Sequence, residues 1–544
     1  MTDLYTIGLD YGSLSCRGVL ARVTDGAVLA EASLAYPHAI MDRALPDGTP
    51  LHGEWALQHP GDYVTALEHV VPALIEHIDP AQVIGVGVDF TASTVIPVDD
   101  ALRPLSEIFP SRPHAWCKLW KHHGAAAQAA RLTEIARTQQ RPYLDWYGGK
   151  ISPECLTSKV AQVFEEDRGI YDAAAAFMEA GDWVTSLLCG KPVFGAAMAS
   201  AKALWSRDAG YPDEAFFGAF HPDFADMPAR KLAARFDFTP VAPGERIGSL
   251  CPQMAQRLGL QPGIAVAAPQ MDAYTPVMGV GMTRPGQMLM VVGTSTGIML
   301  LADRCRPVPG VTACLPDTYY PGLWGYGSGQ ASVGDGFQWF ADNCVPAEYL
   351  RAAQDAGISV QAYLTRLAKP LAPGETGLIA LDWFNGNRSP IGNSRLSGMI
   401  LGLTLQTRPE HMYRALIEAT AFGARAVLDA YRDSGVPVEE IILCGGIPGK
   451  NPMMMQIYAD VLDMPLRVSR CPQAPALGSA ILAASAAGMG LYAAVEAMHA
   501  RDFLTYTPDP VRAETYAALY REYAALSAYF SRGTLMEKLR EAAF

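Results

Sequence analysis

The chain lacks any long hydrophobic run. No stretch approaches the ~18 consecutive apolar residues of a membrane span, so no membrane partner is expected. Positive charge is also short: 42 Lys and Arg stand against 55 Asp and Glu, for a formal net charge of −13. With no long Lys/Arg run, the basic face of a nucleic-acid binder is missing. The ten cysteines are scattered and contain no Cys-x-x-Cys pair. They read as buried small residues of a reducing cytosol rather than as disulfides or metal ligands. The opening "MTDLYTIG" has no basic region leading into a long apolar segment, so no signal peptide is expected and the cytoplasm is the expected location. What is present is a 544-residue chain, 50% hydrophobic and 18% charged. That length and balance predict two large folded domains, and an acidic enzyme acting on a neutral metabolite fits them.

The pattern along the chain supports two halves. Strands are expected over 5–10 and 17–22, a helix over 60–78, and a strand-turn-strand unit over 83–99. Residues 110–226 read as helical and aromatic-rich, and a new strand-led region begins at Gly263. The opening arrangement, an apolar strand, a small polar turn and a second apolar strand, returns as "GQMLMVVGTSTGIMLLAD" at 286–303. Two related domains facing one cleft are therefore expected, divided as 1–262 and 263–544. Farther on, Thr407 and Glu410 stand in capping-box spacing before a helix that Gly435 closes. "EIILCGG" is a buried strand ending in Gly445 and Gly446, and Asn451 with Pro452 opens the next helix. Strand, glycine turn and helix start in that order let a nucleotide approach the backbone.

Asp10 ends the first strand beside Gly12, Ser13 and Ser15. A carboxylate there can hold Mg²⁺, and the N–H groups of the turn can cradle phosphate oxygens. The same residues also make an ordinary hairpin turn. The second turn, Gly293, Thr294 and Ser295, tips the reading towards a pair of hairpins that clamp a polyphosphate. The adjacent His122 and His123 point about 100° apart on a helix and are poor joint metal ligands.

Several longer motifs then narrow the choice. "GLDYGSLSCRG", "VGTST", "LDWFNGNRSP", "ALIEATAFGARAV" and "CGGIPGKNPMMMQIYADVL" resemble the FGGY carbohydrate kinases. "VDFTASTVIPVD", "KLWKHH", "YGGKISPE" and "KALW" resemble their L-ribulokinase subgroup. The resemblance runs in order through nearly the whole chain. It implies an α/β two-domain actin/Hsp70-like (ribonuclease H-like) ATPase fold with an interdomain cleft, ATP and Mg²⁺ as cofactors, and a homodimer. It also implies transfer of the ATP γ-phosphoryl group to a hydroxyl of a ketopentose such as L-ribulose. By the same resemblance, Asp272 in "PQMDAY" is the catalytic base, Asp10 positions Mg²⁺, and Ala92 and Lys202 touch the sugar. Gly12, Ser13, Gly293, Thr294 and Ser295 line the phosphates, and Gly445, Gly446 and Asn451 border the adenosine. Phosphoryl transfer suits such a set, because it needs positioning and charge neutralisation more than covalent chemistry.

Two positions leave the family pattern. In "GYGSGQASVGD", Gly327 stands where L-ribulokinases carry a glutamate, and Tyr274 stands where histidine is common. Both are expected to border the sugar. Either Tyr274 or another group replaces the lost contact and the departures are harmless family variation, or the preferred sugar has shifted while the ATP chemistry stays. The rival readings are an FGGY kinase for D-ribulose, xylulose or a pentitol, and a non-catalytic sugar-binding regulator on the same scaffold. The presence of Asp10 and Asp272 argues against the regulator.

Overall fold

The computed structural model describes residues 3–542. Residues 5–35 alternate apolar and small side chains into an antiparallel meander of β1 (Tyr5–Tyr11), β2 (Ser15–Arg22) and β3 (Val28–Ala35). Every residue of β1 is buried, as befits a central strand covered on both faces. β4 (Val83–Phe90) runs parallel to β1, with Asp10 opposite Asp89 and Tyr11 opposite Phe90. β5 (Arg246–Ser249), β6 (Ala265–Ala267) and β7 (Gln270–Met271) complete this sheet. Its order is β3-β2-β1-β4-β6-β5, with β7 also on β4. The helix Ala474–Ala484 lies on the sheet, where Gly8 and Gly87 leave no room for a side chain: a Cβ on either would overlap the helix backbone. Thr6 Oγ1 bonds the Ala480 carbonyl there (2.9 Å).

β6 and β7 lie beyond residue 262 yet pair with β4. The chain therefore divides after Thr283 rather than at the expected 262/263, and Leu315–Gly325 and Gln473–Ala500 also join the first unit. This unit holds a smaller sheet as well, in the order Leu57–Gln58, Cys117–Lys118, Val95–Val98, Ala176–Glu179. The aromatic-rich stretch packs as a cluster in which Phe164 meets Tyr171 and Phe224, and Phe224 meets Phe217 and Phe220.

The second unit, Arg284–Cys314, Tyr326–Pro472 and the chain from Arg501 onward, repeats the plan. β8 (Gln287–Val292) and β9 (Thr296–Ala302) form an antiparallel hairpin; β10 (Ala313–Pro316), β11 (Trp324–Gln330), β12 (Glu440–Cys444), β13 (Leu466–Ser469) and β14 (Phe503–Tyr506) follow. The order is β10-β11-β9-β8-β12-β13-β14, and β8 runs parallel to β12 with Val291 opposite Cys444. The internal repeat read from the sequence is thus a repeat of strand topology.

Local signals account for most element ends. The helix Pro452–Leu462 starts at Asn451, whose side chain accepts from the Met454 N–H (3.1 Å). Gly435, at φ +71°, closes the 25-residue helix Pro409–Asp433. The start of that helix departs from expectation. Pro409 takes the first helical position, so Arg408 is the N-cap and Thr407 lies outside, its hydroxyl accepting from the Thr404 N–H (2.9 Å). The first long helix ends at Ile75 rather than 78, because Asp79 precedes a proline and caps the following turn. A buried polar triad ties the second unit together: Arg414 Nε donates to Glu418 Oε1 (2.7 Å), and the Tyr516 hydroxyl meets both Arg414 (2.8 Å) and Glu418 (2.9 Å). Among the described residues, no helix is long and apolar enough to cross a membrane.

Candidate active site

Parallel pairing gathers three carboxyl groups at one end of the first sheet. Asp10 and Asp89 are partners across β1 and β4, and Asp272 follows β7 with its N–H on the Phe90 carbonyl (3.0 Å). Ser479 Oγ donates to Asp89 Oδ2 (2.6 Å), and the Ala273 N–H donates to Asp272 Oδ1 (2.7 Å). Burial raises the Asp10 carboxyl above its usual range, against the pull of Arg17. Burial and then the Asp10 charge raise Asp89 farther. Asp272 is pushed up to about 7, first by removal from water and then by Asp10. Crowded carboxyl groups with raised proton affinity are a set of hard oxygen donors that a divalent cation would relieve.

The turn after β1 is held from the side. Gln58 Nε2 donates to the Ser13 carbonyl (2.7 Å), Trp120 Nε1 donates to Ser13 Oγ (2.9 Å), and Tyr63 fixes Gln58 (2.6 Å). One expectation changes here. The Gly12 N–H closes its own hairpin on the Ser15 carbonyl (3.0 Å), so it is not a free donor for phosphate. Gly293 does the same in the second unit, on Ser295 (2.9 Å). What both glycines leave is room: a Cβ would find nothing closer than 3.5 Å at Gly12 or 3.9 Å at Gly293. Neither has a positive φ, so neither backbone demands glycine.

Of the residues expected to touch the sugar, Ala92 is buried in a loop where Thr91 and Thr94 hydrogen-bond each other (2.8 Å) and Ser93 adopts φ +61°. Lys159, fully buried, fixes this loop by donating to the Ser93 (2.5 Å) and Leu119 (2.8 Å) carbonyls. Lys202 ends the helix Ala196–Lys202, and its Nζ pairs with Glu154 Oε2 at 3.1 Å. That pairing holds Lys202 above and Glu154 below their usual ranges, against the burial that opposes both. Tyr274 is buried against the Tyr319 ring, 4.7 Å between centroids, and the Lys202 charge reaches its phenol. His122 bonds Gln162 (2.9 Å), and burial drives its imidazole down to about 2.

In the second unit, the turn Gly293–Ser295 is fastened by the start of the helix Gly334–Asn343. The Gly334 N–H reaches the Gly293 carbonyl (3.0 Å), and the Val333 N–H reaches that of Thr294 (2.8 Å). Thr294 itself is exposed. Gly445 and Gly446 follow β12 for different reasons. Gly445 sits at φ +106° with the Val292 carbonyl 2.5 Å from where a Cβ would be; Gly446 has nothing within 4 Å. Asn451 spends its side-chain oxygen on capping its helix. Gly327 lies half-exposed on β11, its carbonyl accepting from Thr312 N and Oγ1, both at 2.8 Å.

Three participants escaped the sequence reading. Asp89 repeats the local pattern of Asp10, an apolar strand ending in Asp and an aromatic, so "GVDF" beside "GLDY" carried a signal. Glu154 closes the motif "YGGKISPE", which assigns it no role, and Lys159 carried no signal, since only the fold brings them to Lys202 and Ser93. A cavity of about 460 Å³ opens beside Trp205, Tyr211 and Phe238, and none of the expected site residues lines it.

Comparison with known proteins accounts for this arrangement. Residues 5–279 match the N-terminal domain of the FGGY family of carbohydrate kinases and residues 288–487 its C-terminal domain. A ribulokinase from Bacillus licheniformis is 46% identical over 97% of this chain and 97% of its own length. One from Mycolicibacterium smegmatis is 41% identical over 98% and 96%. The crystal structure of xylulose kinase from Rhodospirillum rubrum superposes with a TM-score of 0.78 at 24% identity, covering 96% of this chain and 98% of that one. Gluconate kinase from Lactobacillus acidophilus gives 0.80 at 19%, covering 98% and 99%. The fold is thus the two-domain actin/Hsp70-like one of the sugar kinases. Matched through both domains, the chain belongs to the FGGY family of carbohydrate kinases, enzymes that move a phosphoryl group from ATP to a sugar.

Proposed function

We propose that this kinase phosphorylates a ketopentose of the L-ribulose type. The observation that carries the reading is the seat of Asp272. Its carboxyl is pushed up to about 7 beside Asp10, on the same unit as Lys202 and the Ala92 loop. A base needs a proton affinity near the operating pH, and a carboxyl of ordinary acidity would be too weak. Asp272 accepts the proton of the attacking sugar hydroxyl as the new P–O bond forms. Lys202, held by Glu154, and the Ala92 loop, held by Lys159, orient the sugar so that one hydroxyl faces the phosphoryl group. The nucleotide's share falls to the second unit, where Gly293, Thr294 and Ser295 meet phosphate oxygens and Gly446 and Asn451 border the adenosine. Gly12 and Ser13 serve the phosphates from the first unit.

Asp10, an oxygen ligand in a crowded carboxyl group, is the residue that would hold Mg²⁺. When bound, the cation offsets charge on the phosphates. Relatives at 37–46% identity over nearly the full chain are named ribulokinases, which supports a pentulose as the acceptor.

Gly327 favours a second reading of the acceptor. A glutamate missing from a polar pocket leaves a sugar hydroxyl unpaired, at a cost of roughly 1–3 kcal/mol. Among pentuloses the preference then moves away from the sugar that such a glutamate would bind. A panel of ketoses, aldoses and polyols, read by ADP release with Mg²⁺ present, tests both readings. L-Ribulose far ahead of all others removes the shifted preference. No turnover with any pentulose or pentitol removes the pentulose reading. Turnover that survives Asp272→Asn removes the assigned base.

A further inference from the structure

Cys305 and Cys314 meet in the second unit. Cys314, 3% exposed, lies on β10; Cys305 follows β9 and is half-exposed. The Cys314 and Cys305 Sγ atoms lie 2.7 Å apart, where a disulfide bond needs about 2.05 Å. Both sides of the contact are fixed. The Tyr326 hydroxyl, on β11, accepts from the Arg306 N–H (2.6 Å) and donates to the Arg306 carbonyl (3.0 Å), which anchors the residue after Cys305. Cys314 is anchored by its own strand, the neighbour of β11. The segment between the two sulfurs also touches β11. Thr312 donates twice to the Gly327 carbonyl. The Gly310 carbonyl accepts from Ser389 Oγ (2.6 Å), which in turn accepts from the Gly329 N–H (3.3 Å).

We propose that Cys305 and Cys314 form a thiol modification site, oxidised by a low-molecular-weight disulfide to an intramolecular disulfide that restrains the segment bracketing Gly327. The exchange balances in two steps. The Cys305 thiolate attacks the small disulfide, a mixed disulfide forms, and one small thiolate leaves. The Cys314 sulfur then attacks the Cys305 sulfur, and its proton goes to the second departing thiolate. The protein loses two protons and two electrons, and the reagent takes them up to become two thiols. The order follows from access: Cys305 is the sulfur that solvent reaches, and Cys314 is buried. Burial raises the Cys314 thiol, which suits the resolving role. Other cysteines serve as internal controls: Cys251 Sγ donates to the Leu187 carbonyl (3.7 Å) rather than to a sulfur.

The test equilibrates the full chain with mixtures of oxidised and reduced glutathione, quenches with acid, and maps alkylated peptides. The expected product is a Cys305–Cys314 cross-link, about 2 Da lighter than the dithiol and reversed by dithiothreitol. Cys305→Ser and Cys314→Ser each abolish it. Both thiols alkylated at every mixture overturn the proposal, and this mapping needs only the wild-type chain. The second readout rests on the reading of Gly327 as a sugar neighbour: oxidation shifts the sugar KM by about twofold or more, and neither serine variant responds. A cross-link that forms without a KM shift overturns the link to Gly327 and leaves the modification site standing.

Discussion

Gly445 and Gly446 are adjacent, yet alanine is expected to act on them in opposite ways. At Gly445 the backbone is left-handed, φ +106°, and an alanine Cβ would lie 2.5 Å from the Val292 carbonyl oxygen and 3.1 Å from its carbon. The conformational cost is about 1–2 kcal/mol, and forcing a methyl against a fixed main-chain carbonyl adds roughly 1–3 kcal/mol. Val292 ends β8, the strand paired with β12, so it cannot retreat without breaking the sheet. The sum predicts a loss of about 2–5 kcal/mol and a fall of roughly 5–15 °C in the melting of the second unit. At Gly446 nothing stands within 4 Å and φ is not positive. Alanine there is neutral or stabilising by up to about 1 kcal/mol, by restricting the unfolded chain. If that space belongs to the nucleotide, the same methyl raises the ATP KM by about tenfold, equal to 1.4 kcal/mol. Calorimetry and initial rates on the two single variants decide the matter. A Gly445→Ala protein that melts like wild type refutes the steric argument. A Gly446→Ala protein with unchanged ATP KM refutes the assignment of the open space.

Asp272→Asn is expected to lower kcat roughly 10²–10⁴-fold while nucleotide still protects the protein from unfolding. Only the carboxylate can accept the proton, and Asp272 is pushed up to about 7. The sugar kcat/KM of the wild type should therefore rise about tenfold from pH 6 to pH 8; a flat profile contradicts the assignment. Glu154→Gln removes the charge that holds Lys202. It should raise the sugar KM by about fivefold or more, leaving the ATP KM alone. Equal effects on both substrates would show general damage instead. Arg414→Met leaves the buried Glu418 carboxylate without its cation, with only the Tyr516 hydroxyl as a donor. It should cost about 3–5 kcal/mol, read by denaturant unfolding, and Glu418→Gln combined with Arg414→Met should recover part of that loss.

The hairpins, the central strands and the helix that starts at Asn451 were legible because each depends on neighbours a few residues away. Apolar runs set the strands, and Asn-Pro set the helix start. Failures came where a second local rule overrode the first, or where distant residues decide. Pro409 displaced Thr407 from the cap. The hairpin's own closure consumed the Gly12 and Gly293 N–H groups that looked free for phosphate. The division of the chain was hidden because β6 and β7 cross the apparent boundary to pair with β4. Lys202 and Asp272 were found only through long family motifs, since a lysine at a helix end and an aspartate in a turn have no local signature. Glu154, 48 residues from Lys202, closes the motif "YGGKISPE", but nothing local in it points to a lysine partner.

The duplicated plan explains how one topology divides two kinds of work. Matching strand ends by register sets Asp10 against Val291, Asp89 against Cys444 and Phe90 against Gly445. The first unit thus carries carboxyl groups where the second carries an apolar residue and a thiol. A polyphosphate is repelled by carboxylates, so under the proposed function the hairpin Gly293–Ser295, which has none at these register positions, suits it better than the hairpin beside Asp10. The loops after the two equivalent strands diverge in the same sense. After β4 come Thr91, Ala92, Ser93 and Thr94, pinned by Lys159 and fit to meet hydroxyls. After β12 come Gly445 and Gly446, the second with open space beside it. Under the proposed function, one arrangement serves the sugar where Asp and Thr occupy it and the nucleotide where Val, Cys and Gly do. Charge at two register positions, more than any change of fold, then separates the two kinds of work.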